Sequence, residues 1–170
     1  MSTGLPAAAA AAGRPDTAWY GMQPWWQIPV EGVARREHGR DLCATVERDL
    51  LSYRVPLEVR GRRNPVPVTI YFFAQPTYPC WGLSPEEYPR VFADPGRPSP
   101  HRMPDDDALC LYYPWSPPEQ RWRPQDGLLA LLDLTCVHLF FEDHWWATGG
   151  RRDGEWLGDE QPHGFPRRAA

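Results

Sequence analysis

Proline is the residue that most constrains the fold of this chain, because it occurs 21 times in 170 residues. An average protein uses proline at about 5% of its positions, which is less than half of that frequency. Proline has no amide proton, so helix interiors and inner strands tolerate it poorly. Much of the chain must therefore consist of turns and extended segments, and regular structure is expected where proline is scarce.

Two stretches carry helical patterns. Apolar residues recur at every fourth position at Leu42, Val46 and Leu50, which predicts a first helix over residues 30–51. Residues 125–143 are apolar on most sides, which predicts a long and largely buried helix. Within it, Cys136 and His138 are interpreted as residues of the core.

Three stretches carry strand patterns. Residues 53–60 and 66–73 are rich in β-branched and aromatic side chains, and the GRRNP between them at 61–65 is typical of a turn, so they predict an antiparallel hairpin. A third strand is predicted at 87–94, with proline-rich loops on both sides. The order of elements predicts an α+β domain with one antiparallel meander sheet and helices packed against it.

The length of the chain fits one domain, because single domains commonly have about 100 to 200 residues. Residues 1–18 are rich in Ala, Gly and Pro and predict a disordered lead-in. The aromatic segment that follows is expected to dock on the domain, which we place at residues 19–165 with a core at about 30–143. The end of the domain is expected to be an irregular extension rich in Trp and Gly.

Composition argues against several classes of protein. The net charge of −4 disfavours nucleic acid as a partner, since phosphate binding needs clustered cations. No C-x-x-C pair occurs, so zinc knuckles and thioredoxin-type motifs are not supported, and we expect no cofactor and no metal. The alanine run at 7–13 is a poor signal peptide and too short to cross a bilayer, so we expect a cytoplasmic protein without membrane contact. Its thiols should then be reduced; they belong to Cys43, Cys80, Cys110 and Cys136.

Cys110 lies between three aspartates at 105–107 and a segment rich in proline. Residues 108–113 are long enough for a short strand or turn, so Cys110 is expected on a stiff loop close to the surface. A cysteine presented in this way can act as a nucleophile, with His101 as its nearest helper. The aspartates should raise the pKa of the thiol, which disfavours a protease-like ion pair and favours a thiol that accepts an activated acyl group.

The stretch HRMPDDDALCLYYPWSPP at 101–118, followed by GLLALLDLTCVHL, resembles the active-site region of ubiquitin-conjugating enzymes. In that family a His-Pro-Asn motif precedes the catalytic cysteine, a Trp-Ser-Pro follows it, and a long crossover helix closes the core. The residues of this chain that match are His101, Cys110, Leu111, Trp115, Ser116 and Pro117. Arg102 and Met103 replace the Pro-Asn of the motif, and the end of the chain also departs from the eukaryotic pattern.

With these departures the chain resembles a bacterial branch of the family. Proteins of that branch accompany a cGAS-like nucleotidyltransferase (CD-NTase) in type II CBASS antiphage systems. The resemblance implies a ubiquitin-conjugating (UBC) fold and a thioester between Cys110 and the C-terminus of the CD-NTase, which is passed to an amine. It implies that His101 shapes the active-site loop and that one of the aspartates at 105–107, with Asp107 as our candidate, orients or deprotonates the amine. Backbone amides would hold the oxyanion, and an activating enzyme is a possible further partner.

Two alternatives stay open from the sequence. One is a catalytically inactive binding module with the same fold, since the asparagine of the motif is missing. The other is a metal-dependent hydrolase that uses His138, His144 and His163, although the spacing of His138 and His144 does not put them on one helical face.

Overall fold

The computed structural model describes residues 18–158. Within that range the chain has an α+β fold, as predicted, with two α-helices and a sheet of four strands. In chain order the elements are α1 Pro24–His38, β1 Cys43–Val46, β2 Leu50–Leu57, β3 Val66–Phe73, β4 Arg90–Phe92 and α2 Gly127–Ala147. The predicted lead-in at 1–17 and the end of the predicted domain at 159–165 lie outside the described residues.

The sheet is an antiparallel meander with the strand order β1-β2-β3-β4, which confirms the predicted meander but has four strands where three were predicted. The hairpin of β2 and β3 pairs from Leu50 with Phe73 to Leu57 with Val66. In its outer part Pro56 lies directly opposite Pro67, beyond the last partners of β1 and β4. In an antiparallel pair, opposite residues that are not hydrogen-bonded to each other point their N–H groups outward, away from the partner strand. At Pro56 and Pro67 these outward N–H groups are missing, but neither β1 nor β4 pairs there, so no bond within the sheet is lost.

The predicted first helix was wrong over most of its length. Helix α1 covers Pro24–His38, whereas the prediction was 30–51. Gly39 ends the helix in a left-handed conformation with φ of 54° and ψ of −123°, which residues with a Cβ adopt poorly. The apolar residues that suggested a helix belong instead to β1, β2 and the turn before them, so the sheet has a strand that the sequence analysis missed.

Helix α2 confirms the predicted long helix and extends it to Ala147. One side of α2 is buried and includes Leu128, Leu131, Leu132 and Leu139. The other side is not core, because Val137 is 47% exposed and Leu134 is also exposed. Helix α2 therefore has apolar residues on both sides, but only one side is buried in the core. The apolar residues of the other side lie at the surface.

The aromatic segment at 19–26 docks on the domain as predicted, and its last residues form the start of α1. Trp26 is buried and packs edge-on against Phe72 of β3, with ring centroids 5.3 Å apart. The Tyr20 hydroxyl donates a hydrogen bond of 2.7 Å to the Phe73 carbonyl oxygen. These contacts fix the start of α1 against the sheet.

Candidate functional site

A tight turn brings His101 and Cys110 together. The backbone of Arg102 bridges that of Leu109, the Met103 N–H donates to the Ala108 oxygen at 2.7 Å, and the Cys110 N–H donates to the His101 oxygen at 2.9 Å. The three aspartates form the tip of this turn. A further bond of 2.8 Å from the Leu109 N–H to the Val91 oxygen ties the turn to β4, so the sheet positions Cys110.

Cys110 is buried, which corrects the expectation that it lies close to the surface. Its residue is 3% exposed. Burial is the main reason why the pKa of the thiol rises to about 12; Arg90 lowers this pKa, whereas Asp106 and Glu142 raise it further. Asp106 has the effect that was expected of the aspartates, but this effect is secondary to burial. At neutral pH the thiol is therefore uncharged.

Cys110 and His101 line one groove with a volume of about 660 Å³. The outer side of α2 forms an apolar wall of Ala130, Leu134, Val137 and Phe141. The segment after the cysteine forms the facing wall, in which Leu111, Tyr113, Ser116, Gln120 and Trp122 take part. The apolar residues that α2 leaves outside the core are thus the lining of this groove.

The segment after α2 contributes Trp156 to the groove. Its indole stacks on the His101 ring, with centroids 4.1 Å apart and planes inclined by 31°. It also contacts His138 and Phe141 of α2, at centroid distances of 5.2 Å and 5.7 Å. The predicted irregular end of the domain began at His144, but residues 144–147 belong to α2, and only the segment after them is irregular. Trp156 was not identified as a residue of the site.

Arg102, which stands where the motif has proline, forms a buried ion pair with Glu142 of α2. Arg102 is 3% exposed and Glu142 is fully buried. The Nε and Nη2 groups of Arg102 donate to Oε1 and Oε2 of Glu142, both at 2.8 Å, and the Ser99 hydroxyl donates to Oε1 at 2.6 Å. Burial alone would raise the pKa of Glu142, but the hydrogen bonds from Arg102 and Ser99, together with the nearby His138, outweigh it and lower the pKa to about 2.

His138 joins this cluster and faces the groove. Its Nε2 lies 3.4 Å from Oε1 of Glu142, and its ring stands perpendicular to that of His101 with centroids 6.5 Å apart. His138 is 5% exposed and lines the same groove as Cys110. The interpretation of His138 as a buried residue is confirmed. Its carboxylate partner Glu142 was not identified, although it lies four residues later on the predicted helix, a spacing that places two side chains on one helical face.

The structure does not bring Asp107 to the groove. Its Oδ2 accepts hydrogen bonds of 3.2 Å from the Arg102 Nη1 group and from the Gly96 N–H. Asp106 forms an ion pair with Arg90 at 2.9 Å, and Asp105 is exposed. The aspartates stabilise the turn from outside, so the role expected of Asp107, orientation of an amine, has no support in this placement.

The segment with the Trp-Ser-Pro order forms the rim of the groove. The Ser116 N–H donates to the Tyr113 oxygen at 3.0 Å, which makes a turn, and Ser116 lines the groove. Trp115 points away from the core and packs against Tyr113 and Trp81, with centroid distances of 5.1 Å and 5.0 Å.

The histidines considered as metal ligands do not come together. His138 is next to Glu142, His144 pairs with Glu155 at 3.3 Å, and His163 lies outside the described residues. Among residues 18–158, no group of three or more His, Cys, Asp or Glu side chains has the arrangement of a metal site. In the same range, no helix combines the length and the hydrophobicity needed to cross a membrane.

Comparisons with known proteins returned no family model, no curated protein and no solved structure that matches this chain.

Proposed function

We propose that this protein is a ubiquitin-conjugating-like acyl carrier. In this proposal Cys110 forms a thioester with the C-terminus of a partner protein and transfers the acyl group to an amine. The observation that carries the proposal is the turn that places Cys110 beside His101 in one groove, with the Cys110 N–H bonded to the His101 oxygen.

The order of the elements supports this class of fold. A first helix precedes an antiparallel meander, a long irregular segment carries the cysteine, and a long helix follows it. This order agrees with the fold that the resemblance implies. A UBC fold is therefore part of the proposal.

The chemistry of a buried thiol fits an acyl carrier better than a protease. Burial disfavours the charged thiolate that a protease needs before it attacks an amide. A thioester carries no charge, so the same burial does not disfavour it. Attack on a thioester also proceeds through the thiolate, but a thioester is more reactive than an amide, so Cys110 depends on an acyl group that has already been activated. Backbone amides of the turn are the candidate donors to the oxyanion.

The groove suits an extended C-terminal peptide. Its volume of about 660 Å³ lies within the usual range for ligand sites, and the wall formed by α2 can pack against the aliphatic side chains of such a peptide. We propose the C-terminus of a CD-NTase as this peptide, in antiphage defence in the bacterial cytoplasm, with a separate activating enzyme as the source of the acyl group.

A peptide thioester tests the carrier function without an activating enzyme. A short apolar peptide with a C-terminal mercaptoethanesulfonate thioester is mixed with the protein, and intact mass spectrometry follows the exchange. The experiment uses Cys43→Ala as the background, because Cys43 is exposed and would exchange without any groove. In that background we expect one adduct, located on Cys110 by peptide mass spectrometry, that dithiothreitol removes, that Cys110→Ala abolishes and that the control Cys136→Ala retains. Absence of this adduct, or an adduct that persists in Cys110→Ala, would contradict the proposal.

A second candidate is a binding module of the same fold without catalysis, and the burial of Cys110 favours it. This candidate predicts that the partner's C-terminal peptide binds equally to the wild type and to Cys110→Ala, with no covalent adduct in either. Titration calorimetry with the free peptide, together with the mass measurement, separates the two candidates.

A further inference from the structure

Release of the acyl group from Cys110 to an amine requires the transfer of a proton. When an amine attacks a thioester, the nitrogen must lose a proton and the sulfur must leave. In water the sulfur can leave as a thiolate, but at Cys110 burial disfavours the thiolate and raises the pKa of the thiol to about 12. A group in the groove that takes the proton from nitrogen and delivers it to sulfur would remove this obstacle.

His138 is placed for this task. It lies on α2, lines the groove together with Cys110, and faces Glu142, the His101 ring and the Trp156 ring. Imidazole gains and loses a proton close to neutral pH, which suits both halves of the transfer.

Glu142 determines which nitrogen of His138 can act. Nε2 of His138 lies 3.4 Å from Oε1 of Glu142, and the negative charge of this carboxylate favours the tautomer with its proton on Nε2. The other nitrogen, Nδ1, then carries the lone pair that accepts a proton. Arg102 and Ser99 hold Glu142 ionised and fixed by their own hydrogen bonds. Glu142, Arg102 and Ser99 are thus positioning residues for His138.

The acidic groups near the groove are placed less well. Asp107 is bound to Arg102 outside the groove. Glu119, Asp126 and Asp133 line the groove, but all three residues are exposed to solvent. His138 combines burial, access to the groove and a fixed carboxylate partner.

We propose that His138 is the proton-transfer residue of this site, an inference that rests on the acyl-carrier function proposed above. A neutral amine attacks the carbonyl carbon of the thioester, a C–N bond forms and the C–S bond breaks. The proton that leaves nitrogen passes to His138 and then to Sγ of Cys110. The products are an amide and a neutral thiol, and no further reactant is consumed.

The test is a single-turnover reaction of the loaded protein. Cys110 is loaded with the peptide thioester, excess thioester is removed, and loss of the adduct to free lysine is followed by mass at pH values from about 6 to 9. His138→Gln keeps an amide N–H for Glu142 but cannot exchange protons in this range. His144→Gln is the matched control, because it makes the same change on the same helix outside the groove.

We expect His138→Gln to slow transfer about 100-fold, a usual contribution of general acid–base catalysis. The ratio of wild-type to variant rates cancels the ionisation of lysine, so it isolates the contribution of His138 at each pH. His144→Gln should behave as the wild type does. Equal rates and equal pH profiles for the wild type and His138→Gln would overturn the proposal.

A second variant covers the case in which His138→Gln does not fold, as judged by its thermal melt. His138→Ala should transfer slowly, and added imidazole should restore part of the rate, which a purely structural defect would not allow. A transfer rate that imidazole leaves unchanged in a folded His138→Ala would also overturn the proposal. Failure of the wild type to load would instead refute the carrier function itself, and the role of His138 with it.

Discussion

The buried ion pair of Arg102 and Glu142 gives the sharpest prediction for stability. The change Glu142→Gln keeps the shape of the side chain but removes the charge that two donors of Arg102 and the Ser99 hydroxyl contact. Arg102 then keeps its Ala93 carbonyl contact and its partly exposed partner Asp107, but it loses its buried counterion. Removal of one partner from a buried pair costs about 3 to 5 kcal/mol. We expect the free energy of unfolding to fall by that amount.

The same pair predicts how stability depends on pH. The pKa of Glu142 falls from its ordinary 4.5 to about 2 in the folded state, which corresponds to about 3 kcal/mol of stability. Because the pKa is lower in the folded state, this contribution is fully present above pH 4.5 and is lost as the pH falls towards 2. Glu142→Gln has no carboxyl group at this position, so this part of the acid dependence should disappear.

Urea denaturation followed by tryptophan fluorescence measures both effects. Unfolding curves at neutral pH give the loss for Glu142→Gln, and curves at stepwise lower pH give the acid dependence of each protein. Asp133→Asn, an exposed carboxylate on the same helix, is the control and should stay within about 0.5 kcal/mol of the wild type. A loss below about 1 kcal/mol for Glu142→Gln, or an acid dependence equal to that of the wild type, would refute the assignment of Glu142 as a buried, ionised partner.

Two further predictions concern the cysteines and the end of α1. Because the pKa of Cys110 is raised from 9.0 to about 12, its thiolate is about 1000-fold scarcer at neutral pH than that of an ordinary thiol. Iodoacetamide should therefore alkylate the exposed Cys43 at least about 100-fold faster than Cys110, as peptide mass spectrometry can show, and equal rates would contradict the burial of Cys110. Gly39→Ala should cost about 1 to 2 kcal/mol in urea denaturation, because φ is 54° there. Gly32→Ala, in α1 with open space around the added Cβ, should instead stabilise by about 0.5 to 1 kcal/mol, and the reverse order would be inconsistent with this end of α1.

The correctly predicted elements are those whose signal lies in neighbouring residues of the sequence. The hairpin of β2 and β3 and the helix α2 were found because alternation and continuous apolar stretches are properties of neighbouring residues. The region between Gly39 and Leu50 was wrongly predicted as helix, because three apolar residues have helical spacing there by chance. Pro24 in the first turn and Gly39 after the last one were the better signals for α1.

The candidate site divides in the same way. His101 and Cys110 lie in one short stretch, so sequence order was enough to single them out, although it did not reveal that Cys110 is buried. The pairing of Arg102 with Glu142 joins residues 40 positions apart, and no local pattern encodes such a contact. Trp156 was likewise visible only once the end of α2 and the segment after it had positions in space.

The opposed prolines of the central hairpin have a consequence for association between copies of the chain. The part of the hairpin that holds Pro56 and Pro67 extends past the last paired residues of both neighbouring strands, so neither β1 nor β4 covers its edges. Exposed edges of this kind are templates for aggregation. Each proline removes a hydrogen-bond donor on one side of the hairpin and obstructs the approach of a strand from another molecule. Both unpaired edges are therefore protected against intermolecular strand pairing.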